Sequence, residues 1–141
     1  MKKTAVIYWS GTGNTEAMAN AVLEGMKAAG AEATLLTPDQ VDASALSDYD
    51  AIAFGCPAMG SEVLEESEFE PMFDGCKSSI GGKRVALFGS YGWGDGEWMR
   101  SWEKSCDDAN INLFTESVIC CEAPDDDALA ACTAMGKALA E

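Results

Sequence analysis

The chain has 141 residues, of which 48% are hydrophobic and 23% charged, a size and composition typical of one globular domain. Its 24 acidic residues outnumber nine Lys and Arg, and the resulting net charge of −15 disfavours nucleic acids and anionic membranes as partners. The lack of any histidine excludes Ser-His and Cys-His catalytic pairs and mixed Cys/His zinc sites.

Short apolar runs alternate with helical periodicity along the chain. The predicted strands are residues 5–9, 33–36, 51–54, 85–88 and a fifth within 111–120 that bends at 115–116. The predicted helices are one that ends near Gly30, one that includes residues 69–73, one that carries Trp98, Met99 and Trp102, and one over residues 129–139 that follows acidic residues 125–127.

The strands read as continuous apolar runs, which indicates a parallel sheet covered by helices on both faces. Five strands that alternate with helices predict an α/β fold, a three-layer α/β/α sandwich with strand order 2-1-3-4-5. We expect residues 1–141 to form one domain.

In this topology the connections after strands 1 and 3 leave toward opposite faces and open a crevice at the carboxyl ends of the strands. The loops at that place are residues 10–15 and 56–62, with residues 90–96 beside them. Any ligand is expected between these loops.

Residues 10–15 read Ser-Gly-Thr-Gly-Asn-Thr and stand between a strand and a helix. The glycines let backbone N–H groups turn inward, side-chain donors add hydrogen bonds, and the helix offers its positive N-terminus, so this loop is predicted to bind a phosphate. A Walker loop is excluded because no Lys follows Gly13, and a dinucleotide fingerprint because Glu16 stands where a third Gly is needed. The alternative is an ordinary strand-to-helix turn with a Ser or Thr cap.

Six cysteines occur without a CxxC pair, which disfavours an iron–sulfur cluster and predicts a reduced protein that uses Cys as a small apolar residue. No stretch resembles a signal peptide or a membrane span. We therefore expect a cytoplasmic location.

Three motifs follow one another in the chain: Tyr-Trp-Ser-Gly-Thr-Gly-Asn-Thr at residues 8–15, Gly-Cys-Pro-Ala-Met-Gly at 55–60, and Ala-Leu-Phe-Gly-Ser-Tyr-Gly-Trp-Gly-Asp-Gly at 86–96. Together with the acidic stretch at 62–71, they resemble the short-chain flavodoxins of anaerobic bacteria over nearly the full chain. The resemblance implies a flavodoxin-like fold with non-covalently bound FMN. It also implies a low-potential one-electron carrier that works through the semiquinone/hydroquinone couple and is not an enzyme.

The resemblance assigns the flavin phosphate to Ser10, Thr12, Asn14 and Thr15. Relatives often carry Ser where Pro57 stands in this chain. Because proline has neither a hydroxyl nor an N–H, a phosphate contact from Pro57 is in doubt.

The isoalloxazine ring is implied to lie between Met59 and Trp93. Gly60 would supply the peptide that rotates its carbonyl toward flavin N5 on one-electron reduction, and Glu62 would accept a hydrogen bond from N3. Each of Met59 and Trp93, taken alone, is better explained by ordinary packing than by a flavin contact.

Ala58 and Ser90 are implied to approach the ribityl chain, and no metal ligands are predicted. The complete predicted FMN site is Trp9, Ser10, Gly11, Thr12, Gly13, Asn14, Thr15, Pro57, Ala58, Met59, Gly60, Glu62, Ser90, Tyr91, Gly92, Trp93 and Gly94.

The expected partners are redox proteins, such as reductases and ferredoxin-dependent-type oxidoreductases, that a monomer meets transiently through their basic surfaces. The alternative is that the net negative charge only keeps the protein soluble and does not attract partners. Two other functions remain open: an FMN-dependent reductase on a flavodoxin-like fold, and a non-redox α/β module such as a receiver domain.

Overall fold

The computed structural model describes residues 2–59, 63–92 and 94–141. One parallel five-stranded sheet has the order β2-β1-β3-β4-β5, and helices cover both faces, as predicted. The strands are β1 (Lys3–Tyr8), β2 (Glu32–Leu36), β3 (Ala51–Gly55), β4 (Arg84–Tyr91) and β5 (Val118–Cys121). The α-helices are α1 (Asn14–Ala28), α2 (Phe69–Cys76), α3 (Glu97–Asp108) and α4 (Asp126–Ala140).

Helices α1 and α4 cover one face of the sheet and lie against each other. Their backbones approach closely at Gly25 and Gly136. A Cβ atom at Gly136 would overlap the carbonyl oxygen of Val22, and one at Gly25 would overlap that of Thr133. Only glycine fits this contact, which fixes α1, and with it the loop before α1, on the sheet.

Helices α2 and α3 cover the other face with an aromatic cluster. The Phe73 ring stands edge-on to Phe54 with centroids 5.0 Å apart, and Trp102 stands edge-on to Phe69 at 5.4 Å. Trp98 and Trp102, on the face of α3 that the sequence pattern predicts, are both buried.

The fifth strand differs in detail from the prediction. Leu113 makes an isolated parallel bridge to Val85, and the chain rejoins the sheet only at β5. Between them, the ring of Phe114 lies beneath the Arg84 guanidinium, 4.3 Å from the ring centroid. The predicted bend is therefore a break in the strand.

Three short 3-10 turns, which the apolar pattern does not predict, complete the connections. They are Pro38–Gln40, Ala43–Asp48 and Lys77–Ser79. Among the described residues, no helix has the length and apolar character that crossing a membrane requires.

Candidate functional site

A cleft of about 590 Å³ opens where the carboxyl ends of β1, β3 and β4 meet. This is the crevice that the strand order predicts. Its described lining residues are Trp9, Gly11, Thr12, Asn14, Pro57, Ala58, Met59, Ser90, Tyr91, Gly92 and Glu122.

The first loop turns into α1 at Gly13, whose φ of +92° is readily available only to glycine. The Ser10 hydroxyl oxygen accepts the Gly13 N–H at 3.0 Å, and the Thr12 hydroxyl oxygen accepts the Asn14 N–H at 3.5 Å. The loop thus gathers hydroxyls and backbone amides at the N-terminus of α1, where first-turn N–H groups lack helical partners.

The carboxylate of Glu16 is directed away from this cleft. It accepts a hydrogen bond of 3.0 Å from the Tyr8 hydroxyl, and both residues line an adjoining cleft of about 470 Å³. Burial, followed by the Glu16 hydrogen bond, raises the pKa of Tyr8, so the phenol stays protonated and retains the carboxylate. Ser10 and Gly13 border the same adjoining cleft.

Thr15 and Ser90 connect the first loop to β4 beneath the cleft floor. Both side chains are buried, and their hydroxyl oxygens lie 3.4 Å apart. The Ser90 carbonyl oxygen also accepts the Ala58 N–H at 3.0 Å. Ser90 therefore joins all three loops of the cleft.

The second loop leaves β3 through Cys56 and Pro57. The Cys56 carbonyl accepts a buried hydrogen bond of 3.1 Å from Trp98 Nε1, and further along the Met59 N–H donates to Val63 O at 3.0 Å. Pro57 and Met59 line the cleft. The predicted ring contacts Gly60 and Glu62 lie outside the described residues.

The third loop follows β4, and Tyr91 and Gly92 bring it to the cleft. Gly94, with a φ of +84°, is not among the lining residues, and Trp93 lies outside the described ones. Arg100 holds the loop's far end through ion pairs with Asp95 at 2.9 Å and Glu97 at 2.7 Å.

The sequence matches the flavodoxin family profile over residues 6–136. The chain belongs to the flavodoxin family. It is 43% identical to the flavodoxin of Megasphaera elsdenii over 136 residues, which cover 96% of this chain and 97% of that protein. The flavodoxin of Clostridium beijerinckii is also 43% identical, over 135 residues, with the same coverage.

A solved structure agrees with these matches. The solution structure of two-electron reduced M. elsdenii flavodoxin superposes with a TM-score of 0.86 and 41% identity, covering 97% of this chain and 98% of that one. Flavodoxins are electron-transfer proteins that bind FMN and are not enzymes, so the chain is an FMN-binding electron carrier that works with redox partner proteins.

The donors of the cleft fit FMN. Hydroxyls, an Asn amide and first-turn N–H groups of α1 provide neutral donors for a phosphate, and no Lys or Arg is found among the described lining residues. The volume lies in the range of clefts that bury small cofactors. Apolar surface from Trp9, Ala58 and Met59 faces the same space.

One residue of the cleft was missed by sequence reasoning. Glu122 follows β5, has a φ of +58°, and donates its N–H to Tyr91 O at 2.7 Å. That bond places a carboxylate-bearing residue in the lining of the flavodoxin cleft. The available signal was its place directly after a predicted parallel strand, at the edge where the other three loops also end.

Proposed function

We propose that this chain is a low-potential one-electron carrier that holds FMN in the cleft between residues 10–15, 57–62 and 90–94. It shuttles electrons between redox proteins and has no substrate of its own. The observation that carries the proposal is the convergence of a neutral phosphate loop with two further loops on one cleft of about 590 Å³.

The first loop is proposed to hold the phosphate. Ser10, Thr12, Asn14 and Thr15 supply the side-chain donors, and the N-terminus of α1 adds backbone N–H groups and the positive end of the helix dipole. Ser10 and Thr12 accept hydrogen bonds of 3.0 and 3.5 Å from the N–H groups of Gly13 and Asn14, which keeps both hydroxyls beside the start of α1. Pro57 borders the cleft but contributes no donor to the phosphate.

The second and third loops are proposed to hold the isoalloxazine ring. Met59 and Trp93 would cover its two faces, since a thioether and an indole both pack well on an aromatic ring. Gly60 would turn its carbonyl toward N5, Glu62 would accept from N3, and FMN when bound supplies two successive one-electron steps. Ala58 and Ser90 would flank the ribityl chain.

The surroundings of the cleft favour a low potential for the second step. That step places negative charge on the flavin, and an apolar, acidic environment makes a buried anion costly. Glu122 adds a carboxylate to the lining, and the whole chain carries a net charge of −15.

The acidic surface is proposed to steer basic faces of redox partners such as reductases during brief encounters. The protein would act as a cytoplasmic monomer with residues 1–141 as one domain. Electron transfer to such partners should slow as ionic strength rises, because screening weakens attraction between exposed charges.

The direct test is anaerobic reduction of the FMN-loaded protein in small steps, followed by visible spectroscopy. Two separate one-electron steps are expected, without steady-state oxidation of NADH or NADPH by the isolated protein. A single two-electron transition would count against the proposal, and sustained nicotinamide turnover would favour the FMN-dependent reductase.

A further inference from the structure

The loop after β3 ends at a buried carboxylate, that of Glu65. Its oxygens accept the backbone N–H groups of Ser67 at 3.0 Å, Glu68 at 2.7 Å and Phe69 at 2.8 Å, together with the Ser67 hydroxyl. Glu65 is only 6% exposed, while its neighbour Glu66 is exposed. Although burial acts to raise it, these hydrogen bonds lower the pKa of Glu65 below its usual value, so the carboxylate is charged at neutral pH.

The same residue is tied to the start of the loop. The Glu65 N–H donates to Cys56 Sγ at 3.4 Å, and the thiol lies 3.6 Å from the Pro57 carbonyl oxygen, to which it donates. Burial raises the pKa of Cys56 to about 12, so the sulfur remains a neutral thiol. Cys56 is itself fixed by Phe88 O at its N–H and by Trp98 Nε1 at its carbonyl.

The two residues before Glu65 lie beside unfilled space. Val63 and Leu64 line a cavity of about 170 Å³ whose wall includes Phe73, Trp98 and Trp102. The indole Nε1 of Trp102 is buried there without a hydrogen-bond partner among the described residues. Val63 and Leu64, directly before the fixed Glu65, therefore adjoin unfilled space.

We propose that Cys56 and Glu65, which we name the Cys56–Glu65 clasp, fix the two ends of the loop formed by residues 57–64 and thereby favour the first one-electron reduction of FMN. The two residues are positioning residues for the first one-electron step and touch no flavin atom. The inference rests on the proposed function, in which this loop lines the ring.

The physical reason is preorganisation. A carbonyl of this loop would accept a hydrogen bond from bound FMN after the first step, which adds one electron from a donor protein and one proton from solvent. A loop with fixed ends loses less conformational freedom when it makes that bond than a loop with free ends. Releasing the clasp should therefore make the first step less favourable.

A purely electrostatic role for Glu65 predicts a different result. Because the first step adds an electron and a proton together, it leaves the flavin charge unchanged, and loss of a nearby carboxylate should hardly alter it. The same loss should favour the second step, which adds negative charge. Loss of the clasp should thus make the first step less favourable, whereas loss of the charge alone should make the second step more favourable.

The experiment uses the full-length, FMN-loaded protein in potentiometric titrations of both couples. In Glu65→Ala the equilibrium constant of the first step should fall about tenfold, which corresponds to about 59 mV for a one-electron couple. Glu65→Gln, which keeps one acceptor oxygen, and Cys56→Ala should show smaller decreases. Glu66→Gln removes an exposed carboxylate from the next position and should leave the first couple unchanged.

A flavin-free readout accompanies the potentials. In the apo protein, amide hydrogen exchange at Ser67, Glu68 and Phe69 should accelerate in Glu65→Ala and stay as in the wild type in Glu66→Gln. Should Glu65→Ala fail to fold, Glu65→Gln and Cys56→Ala decide the question with the same measurements.

Faster exchange with an unchanged or raised first potential would overturn the clasp, and a shift confined to the second couple would assign Glu65 a charge role instead. Absence of two one-electron steps in the wild type would contradict the proposed function itself. These failures are therefore distinguishable.

Discussion

The two faces of the sheet are built differently, and each leads into a different part of the cleft. On one face, α1 and α4 touch backbone to backbone at Gly25 and Gly136, and residues 10–13, proposed to bind the phosphate, lead directly into α1. On the other, large aromatic rings fill the core, and a cavity of about 170 Å³ remains beside Val63 and Leu64.

This difference matches two tasks within one site. A phosphate anchor should not move during electron transfer, and the close helix contact leaves no space for α1 to shift. The loop near the flavin ring is proposed to change its hydrogen bonding, and clearance beside it allows such a change without repacking α2. The tightly packed helices and the loop that is proposed to change its hydrogen bonding thus lie on opposite faces of the sheet.

The largest expected effect is on the free energy of unfolding, and it tests the close contact between α1 and α4. Gly136→Ala places a Cβ against the carbonyl oxygen of Val22, a backbone atom that cannot rotate away. We expect the free energy of unfolding to fall by about 3 kcal/mol, the upper end of overpacking penalties, as measured by urea denaturation of the apo protein.

Gly75→Ala is the matched control on the other face. Gly75 lies in α2 with open space where the alanine methyl would stand, and alanine is about 0.5–1 kcal/mol better than glycine within a helix. A small gain in stability is therefore expected. Equal losses at Gly75 and Gly136 would contradict the contrast between the faces.

The next largest effect is on the affinity for FMN, and it tests the proposed phosphate contact of Thr12. Thr12→Val keeps the shape of the side chain but removes a hydroxyl proposed to bind the phosphate. Loss of a hydrogen bond to a charged group should weaken FMN binding by about 1.5–2 kcal/mol, or roughly tenfold to thirtyfold. Fluorescence titration of the apo protein with FMN measures this change.

Riboflavin provides the control for Thr12, because it lacks the phosphate. Its affinity should be the same in wild type and Thr12→Val, and the gap between the two one-electron potentials should also persist. If riboflavin binding weakened as much as FMN binding, Thr12 would be supporting the loop rather than the phosphate.

The arrangement that brings these loops together could be predicted from sequence. Apolar runs identify buried parallel strands, right-handed crossovers restrict their order, and the order places the loops after β1, β3 and β4 at one edge. The turn at residues 10–15, which is proposed to bind the phosphate, was also predictable, because glycine at position 13 meets a local backbone requirement, a φ of +92°. Such features depend on neighbouring residues or on topology alone.

Contacts that depend on packing were not predictable. Glu122 follows a predicted strand, but the positive φ and the bond to Tyr91 O that bring it into the cleft lining depend on packing. The bond between Cys56 and Glu65 spans a loop whose acidic stretch reads as a solvated face. The close approach of α1 and α4 at Gly25 and Gly136 joins helices from opposite ends of the chain.

A smaller effect is expected from Glu122→Gln, which removes a negative charge from the cleft lining and preserves side-chain size. The second one-electron step should become more favourable by about 1 kcal/mol, or roughly fivefold, since that step adds negative charge nearby. Potentiometry at low and high salt measures it, and the shift should shrink as salt screens the charge. Asp108→Asn, at the end of α3, removes an exposed acid outside the cleft lining and should leave this couple nearly unchanged.

The smallest expected effect is the contribution of Glu65, on the face covered by α2 and α3, to the pH dependence of the free energy of unfolding. Hydrogen bonds from Ser67, Phe69 and Glu68 outweigh burial and lower its folded-state pKa. The unfolded state therefore binds this proton more readily, so the stabilisation is fully present above the unfolded pKa of about 4.3 and is lost as the pH falls toward the folded value.

Urea denaturation of the apo wild type and of apo Glu65→Gln measures this effect. The difference between their free energies of unfolding should be constant near neutrality. It should shrink below about pH 4.3, with a slope of at most about 1.4 kcal/mol per pH unit. If this difference in free energy of unfolding stayed constant or grew in acid, the Glu65 carboxylate would not be held by these hydrogen bonds. Another residue would then have to fix this end of the loop formed by residues 57–64.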